Sequence, residues 1–242
     1  MFGYEDLIVT EQQVFIITSD RMKGFYKEGP KFIDLGFYLQ QSFGEMEDVS
    51  TPFGELQSIA YMHYVQLPYT LKLIFEQIMK GYYLESQILI RHLFETLVHL
   101  KYFYKHPGDI KLHVENNIAI KRMVDDITKK PLYEYYRHLC SYTHGFIMKD
   151  IHRTDRKANK TYLGNIYNED NCTVPINYFT ELMLGFINIY EQIYPKNLIA
   201  EYVEVKSLIN YIKNWCISAR NSHMKYNERS KKWHDAMSDL IL

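Results

Sequence analysis

Residues 82–105, YYLESQILIRHLFETLVHLKYFYK, are the stretch on which the reading of the fold turns. Taken as a helix, they place Leu84, Ile88, Leu89, Ile90, Leu93, Phe94, Leu97, Val98, Leu100 and Phe103 around the axis instead of along one stripe. A helix apolar on most sides has to be covered on most sides, so the segment is expected to be the central helix of a bundle. Arg91 and Glu95 stand four residues apart on a face that also carries Leu84, Ile88, Val98 and Tyr102, which points two opposite charges into an apolar surface. Charges so placed have to be paired. Either they form a structural ion pair, or one of them faces a polar site shared with another helix.

Toward the N-terminus, residues 53–80 keep a helical spacing of apolar side chains through Leu56, Ile59, Ala60, Tyr64, Leu67, Leu71, Ile74, Phe75 and Ile78. Pro68 lies inside this run and is expected to kink or split it. Ser50-Thr51-Pro52 supplies cap and first-turn signals for its start, with Glu55 in the first turn. Gly81 leaves so short a connection that the two helices are expected to form an antiparallel hairpin. Residues 1–52, with β-branched runs at 7–10 and 14–18 followed by Gly24, Gly29 and Pro30, read as a separate, poorly defined N-terminal segment. A short hairpin and a helix both fit it.

Toward the C-terminus, Pro107-Gly108 ends the central helix and Asp109 is expected to cap the next one. Residues 131–144, PLYEYYRHLCSYTH, read as a helix with Pro near its start and Gly145 at its stop. A long polar stretch, 149–172, follows. Amphipathic helices are expected over 174–194 and about 198–220, and a short last helix in the tail. The whole reads as all-α: an N-terminal segment over 1–52 and a helical bundle over 53–242.

Composition narrows the function classes. A formal charge of −1 excludes the uniformly basic surface of a general nucleic-acid coating protein and leaves room for a local basic patch. Cys140, Cys172 and Cys216 are odd in number, widely spaced and without a CxxC pair, which argues against a disulfide framework and a cysteine zinc site. Glu5, Asp6 and Glu11 stand where a signal peptide needs basic residues and an apolar run, and even the central helix is broken by charge. A cytoplasmic protein without a membrane partner is the expectation. There is no P-loop, no GxGxxG after a strand, no GxSxG elbow and no HExxH, and His92, His99, His138, His144 and His152 form no compact ligand motif, so neither metal nor cofactor is expected. The 22 tyrosines accompany many Ile, Lys and Asn, a bias that genome composition produces without function.

One constellation suits chemistry. On the 131–144 helix, Arg137, Ser141 and His144 lie at i, i+4 and i+7, on one face within two turns. A cation, a hydroxyl and an imidazole so grouped suit phosphate chemistry without a metal: the imidazole exchanges a proton near neutral pH while the guanidinium holds phosphoryl oxygens. The plainer account is a histidine stabilised at a helix C-terminus and a serine bonded back to its own helix. After the helix come Lys149, Arg153 and Arg156, diluted by Asp150 and Asp155, which read as a solvated loop or as contacts to a bound strand.

The residues RHLCSYTH, from Arg137-His138 to His144, resemble the R-x(4–6)-H signature of HEPN domains, in which a polar residue commonly follows the Arg. RHLFE in the central helix, with Tyr136, Ser141 and His144, also resembles a bacterial branch that pairs an R-x-x-x-E helix with a Y-x(4)-S-x-x-H helix. The likeness spans roughly residues 53–220 and rests on a handful of positions. It implies a helical bundle, usually dimeric, whose active members are metal-independent RNases of toxin–antitoxin, CRISPR and abortive-infection systems. By that resemblance Arg137 holds the phosphate, His144 is general acid or base, and Ser141 or Tyr136 positions the site. Arg91, Glu95 and His138 support it, and Lys149, Arg153 and Arg156 contact the substrate. The implied function is a metal-independent endoribonuclease that uses the RNA 2′-hydroxyl as nucleophile, with RNA, a second copy of the chain and an antitoxin or other defence protein as partners. Inactive members serve as dimerisation or effector-binding modules, which is the alternative. Exposure separates the two: Arg137 and His144 sealed inside a monomer and bonded to Glu95 speak for a module, whereas an open position keeps catalysis alive.

Overall fold

The computed structural model describes residues 3–128, 132–144, 154–155, 160–161, 165–226 and 228–241, with the side chains of 142–144, 154–155, 160–161, 222–226 and 228–233 outside the description. Among the described residues there are ten α-helices: α1 Tyr4–Arg21, α2 Lys23–Gln41, α3 Pro52–Met79, α4 Tyr83–Lys105, α5 Asp109–Asn116, α6 Ile120–Ile127, α7 Leu132–His144, α8 Glu169–Ile193, α9 Val203–Tyr226 and α10 Glu228–Ile241. A 3₁₀ turn, Leu198–Glu201, leads into α9, and an antiparallel pair of two-residue strands joins Thr154–Asp155 to Lys160–Thr161. The architecture is an all-α bundle.

The central place of α4 is as expected. It packs on α3, α6, α7, α8 and α10, and Ile90, Leu93, Phe94, Leu97, Val98 and Leu100 are buried. A second helix is enclosed as thoroughly. The sequence suggested an amphipathic helix over 174–194, but α8 buries Phe179, Leu182, Met183, Phe186, Ile187, Tyr190 and Ile193, because it runs between α3, α4, α9 and α10. At the α4–α8 crossing, a Cβ on Gly185 would lie 2.5 Å from Leu97 Cδ2, so a larger residue there requires the leucine side chain to move.

Residues 1–52 hold two helices, not a β-hairpin, and α2 is no appendage. Phe25, Phe32, Leu35 and Leu39 belong to the same core cluster as α3 and α8, so the boundary expected before residue 53 does not separate two cores. Nor does Pro68 split the following helix: α3 runs from Pro52 to Met79 with Pro68 inside it. Gly36 of α2 lies against that proline, where an added Cβ would come 3.1 Å from Pro68 Cα.

Capping explains the ends of α3. Thr51 accepts the Gly54 N–H on Oγ1 at 3.0 Å, with Pro52 in the first turn. Gly81 follows with φ +81°, the left-handed region that lets the chain reverse into α4 as an antiparallel hairpin. The cap expected from Asp109 is absent: Gly108 is the N-cap, and Asp109 Oδ2 instead accepts the Tyr102 hydroxyl at 2.6 Å. Several tyrosines join α3 to α8. Tyr64 donates to the Phe186 carbonyl at 2.7 Å and Tyr194 to the Gln57 carbonyl at 2.5 Å, while Gln57 Nε2 donates to the Ile193 carbonyl at 2.9 Å. Each satisfied hydroxyl lets a large ring sit in the core without an orphaned polar group.

Candidate functional site at the seam of α4 and α7

Arg91 and Glu95 do form a pair, and it bridges two helices. Arg91 Nε donates to Glu95 Oε1 at 2.9 Å, and the same oxygen accepts the Tyr136 hydroxyl of α7 at 2.8 Å. A longer contact of 3.4 Å runs from an Arg91 terminal nitrogen to the Tyr136 oxygen. The Tyr136 ring is stacked with Phe94 at a centroid distance of 5.9 Å, and the Arg91 guanidinium lies 5.6 Å from its centre. Leu132 and Leu139 are buried on the inner side of α7 and hold this face against the bundle.

The pair is not sealed. The side chains of Arg91 and Glu95 keep 21% and 25% of their accessible surface, so water reaches the seam. Burial weakens the Arg91 charge, yet the bonded Glu95 carboxylate overcomes this and holds the guanidinium pKa above its ordinary value. Burial raises the Tyr136 phenol, and the bond to Glu95 and the nearby Cys140 thiol raise it further, so the phenol stays a proton donor to Glu95.

The residues of α7 proper divide in a definite way. Arg137 follows Tyr136 by one position, about 100° around the helix, and is exposed. Among the described residues it pairs with no carboxylate. Ser141 is half-buried and donates its hydroxyl to the His138 carbonyl at 2.6 Å, the local back-bond of the plainer account, so its proton is engaged and its lone pairs remain. His138 is half-buried. His144 closes α7, while its side chain, together with Lys149, Arg153 and Arg156, lies outside the described residues. The structure therefore brings together Arg91, Glu95 and Tyr136, and sets Arg137 beside them on the outer side of α7.

Sequence reading named Cys140, His92 and His99 only as members of sets without a metal-ligand motif, and passed over His63. Cys140 is half-buried and contacts Tyr136. On the outer side of α4, His92 and His99 flank Glu95 in sequence, and His63 of α3 shares a cleft of about 10 Å³ with Gln66, Thr70, His92 and Thr96. The signal was the i, i+3, i+7 spacing of His92, Glu95 and His99, which puts all three on one flank of α4. Among the described residues no three His, Cys, Asp or Glu side chains group so as to hold a metal ion. A cavity of about 450 Å³ lies elsewhere, between the end of α2 and the start of α9, lined by Tyr38, Ser42, Glu201, Tyr202 and Glu204, and shares nothing with this seam. Among the described residues no helix is long and apolar enough to cross a membrane.

Compared with family models, with curated proteins and with solved structures, the chain finds no match in any of the three.

Proposed function

We propose that the protein is a metal-independent endoribonuclease of HEPN-like type, acting on RNA in a toxin or defence role as a homodimer. The observation that carries this reading is the exposure of Arg137 beside a seam already fixed by Arg91, Glu95 and Tyr136. Glu95 is engaged by Arg91 and Tyr136, which leaves the Arg137 guanidinium free of that carboxylate and able to fork onto phosphate oxygens. In the reaction, the RNA 2′-oxygen attacks phosphorus and loses its proton, the bond to the 5′-oxygen breaks, and the departing oxygen takes up a proton. His144 either removes the first proton or delivers the second. Arg137 neutralises charge growing on the non-bridging oxygens. Tyr136 and the α4 pair fix the angle of α7, and with it the spacing of Arg137 and His144. Lys149, Arg153 and Arg156 would hold the strand, and an antitoxin or other defence protein would restrain the activity.

The test is purified protein incubated with total RNA in excess chelator. Products ending in 2′,3′-cyclic phosphate support the reading, and intact RNA at enzyme-stoichiometric concentrations removes it. A second reading draws on a different observation: Arg91, Glu95 and Tyr136 satisfy one another, as in a scaffold that only joins helices. Under it the protein is a non-catalytic dimerisation or effector-binding module, and it dimerises without cleaving RNA.

A further inference from the structure

We propose that α5 is an acid-sensitive latch: His113 of α5 packs on His99 of α4, with His63 of α3 and His92 of α4 sharing a cleft farther along the same helix, and protonation of His99 releases α5 from the bundle. The latch is independent of the nuclease reading.

The four histidines fall into two neighbouring pairs along α4. His63 and His92 line the same cleft between α3 and α4. Farther along α4, the His99 and His113 rings stand 5.0 Å apart, His99 lies nearly parallel to Phe103 at 6.0 Å, and His113 meets the edge of Phe103 at 5.4 Å. The Nδ1 of His113 is buried and makes no hydrogen bond among the described residues. Such packing suits neutral imidazoles, which stack on one another and on a phenyl ring. It sets two imidazolium ions against each other at a ring distance of 5.0 Å.

The charges around His99 are unbalanced. Facing it are His113 from α5, His63 from α3, and His92 and Glu95 from its own helix. Glu95 is the one carboxylate among them, and its Oε1 already accepts from Arg91 and Tyr136. Of the remaining charges on α5, Asp109 accepts the Tyr102 hydroxyl, and Lys111 and Glu115 are exposed. Burial, then the repulsion of His113 and His63, lowers the His99 pKa to about 4, and burial with His92 lowers that of His63.

The direction of the effect follows. A histidine whose pKa is lower in the packed state than in the released one holds its proton less tightly when packed. The released state therefore binds more protons between about 6.5 and about 4. The stability that neutral His99 contributes is complete above about pH 6.5 and is lost as the pH falls through that window. The helix affected is short, eight residues, and its C-cap Asn117 has φ 49°. It is anchored chiefly by Ile110, and its release bares Ile110 and Phe103, both buried when it is closed.

The experiment is amide hydrogen exchange of α5 at pH 7 and pH 5, corrected for the intrinsic rate, beside NMR titration of the imidazoles. The expected result is a His99 titration near 4 and, from His99 alone, an open state of α5 about twentyfold more populated at pH 5 than at pH 7, with α4 still protected. His99→Phe should flatten that dependence. Should this variant not fold, His113→Gln on the short helix serves in its place and should reduce the same ratio severalfold. A His99 titration near 6.5, or α5 protection unchanged between pH 7 and pH 5, overturns the latch.

Discussion

Tyr136 of α7 and Glu95 of α4 are joined by a hydrogen bond of 2.8 Å, and this bond lands on the very oxygen that holds Arg91. Removing Glu95 orphans two partners at once. Glu95→Ala should lower stability by about 1–3 kcal/mol, less than a fully buried pair would cost, because water can solvate part of the released Arg91. Tyr136→Phe removes a single donor and should cost about 1 kcal/mol. Denaturant titrations of both variants and of the double variant measure the coupling, and additive effects would mean that the seam is not a unit.

Arg137 is exposed, so its loss should separate activity from folding. Arg137→Ala should change stability by no more than about 0.5 kcal/mol, while RNA cleavage falls and substrate binding weakens. Thermal melts beside cleavage assays check this. A variant that melts like the parent and cleaves like it would take Arg137 out of the mechanism.

His144→Ala should reduce cleavage about a hundredfold to ten-thousandfold, the range of a lost general acid or base. Circular dichroism must accompany the assay: an unfolded variant identifies a structural histidine, and a folded, fully active one excludes His144 from proton transfer.

Gly185→Ala tests the crossing of α4 and α8. The new methyl would meet Leu97 Cδ2 at 2.5 Å, and overpacking of this kind should cost about 1–3 kcal/mol. Leu97→Ala is costly by itself, but the double variant should lose less than the sum of the two single losses, because the removed side chain makes room for the methyl. If Gly185→Ala is as stable as the parent, the Leu97 side chain yields without cost and the crossing does not depend on glycine.

Assembly is tested by light scattering at micromolar concentration. A dimer mass is expected, together with its loss on substitution of exposed α7 positions. A monomer would leave each copy of Arg137 without the second copy that a shared groove needs.

The sequence was most legible where one physical cause acts alone. Of the ten apolar positions spread around residues 84–103, the seven from Ile90 onward are buried, while Leu84 and Leu89 are half-buried and Ile88 is exposed near the start of α4; Thr51 and Pro52 satisfy and shape a helix start, and α3 begins there. Reading failed where tertiary packing overrode a local rule. Of the kink or split expected at Pro68 the split is absent, since α3 runs through it with Gly36 of α2 packed against it, and Pro30 lies within α2. In α1 only Val14 and Thr18 are buried, so no period of apolar residues existed to be read against the competing β-branched runs. At the candidate site, the Arg91 and Glu95 pair was visible as an i, i+4 spacing, and Tyr136 was visible beside Arg137. The histidine pairs were not, because His63, His99 and His113 come from three helices and meet only after folding.

The tyrosine and glutamine bonds between α3 and α8 also constrain how the chain can be made. Tyr64 and its acceptor Phe186 are 122 residues apart, and Gln57 and its partner Tyr194 are 137 apart. While α8 is still unsynthesised, the α3–α4 hairpin has part of its inner surface, with Leu93 and Leu97, bare on the side α8 will cover. At ordinary synthesis rates of about 5–20 residues per second, that surface waits several seconds for its cover. A cell making this protein therefore has to shield a nascent hairpin from its neighbours on the polysome before there is a core to hide it.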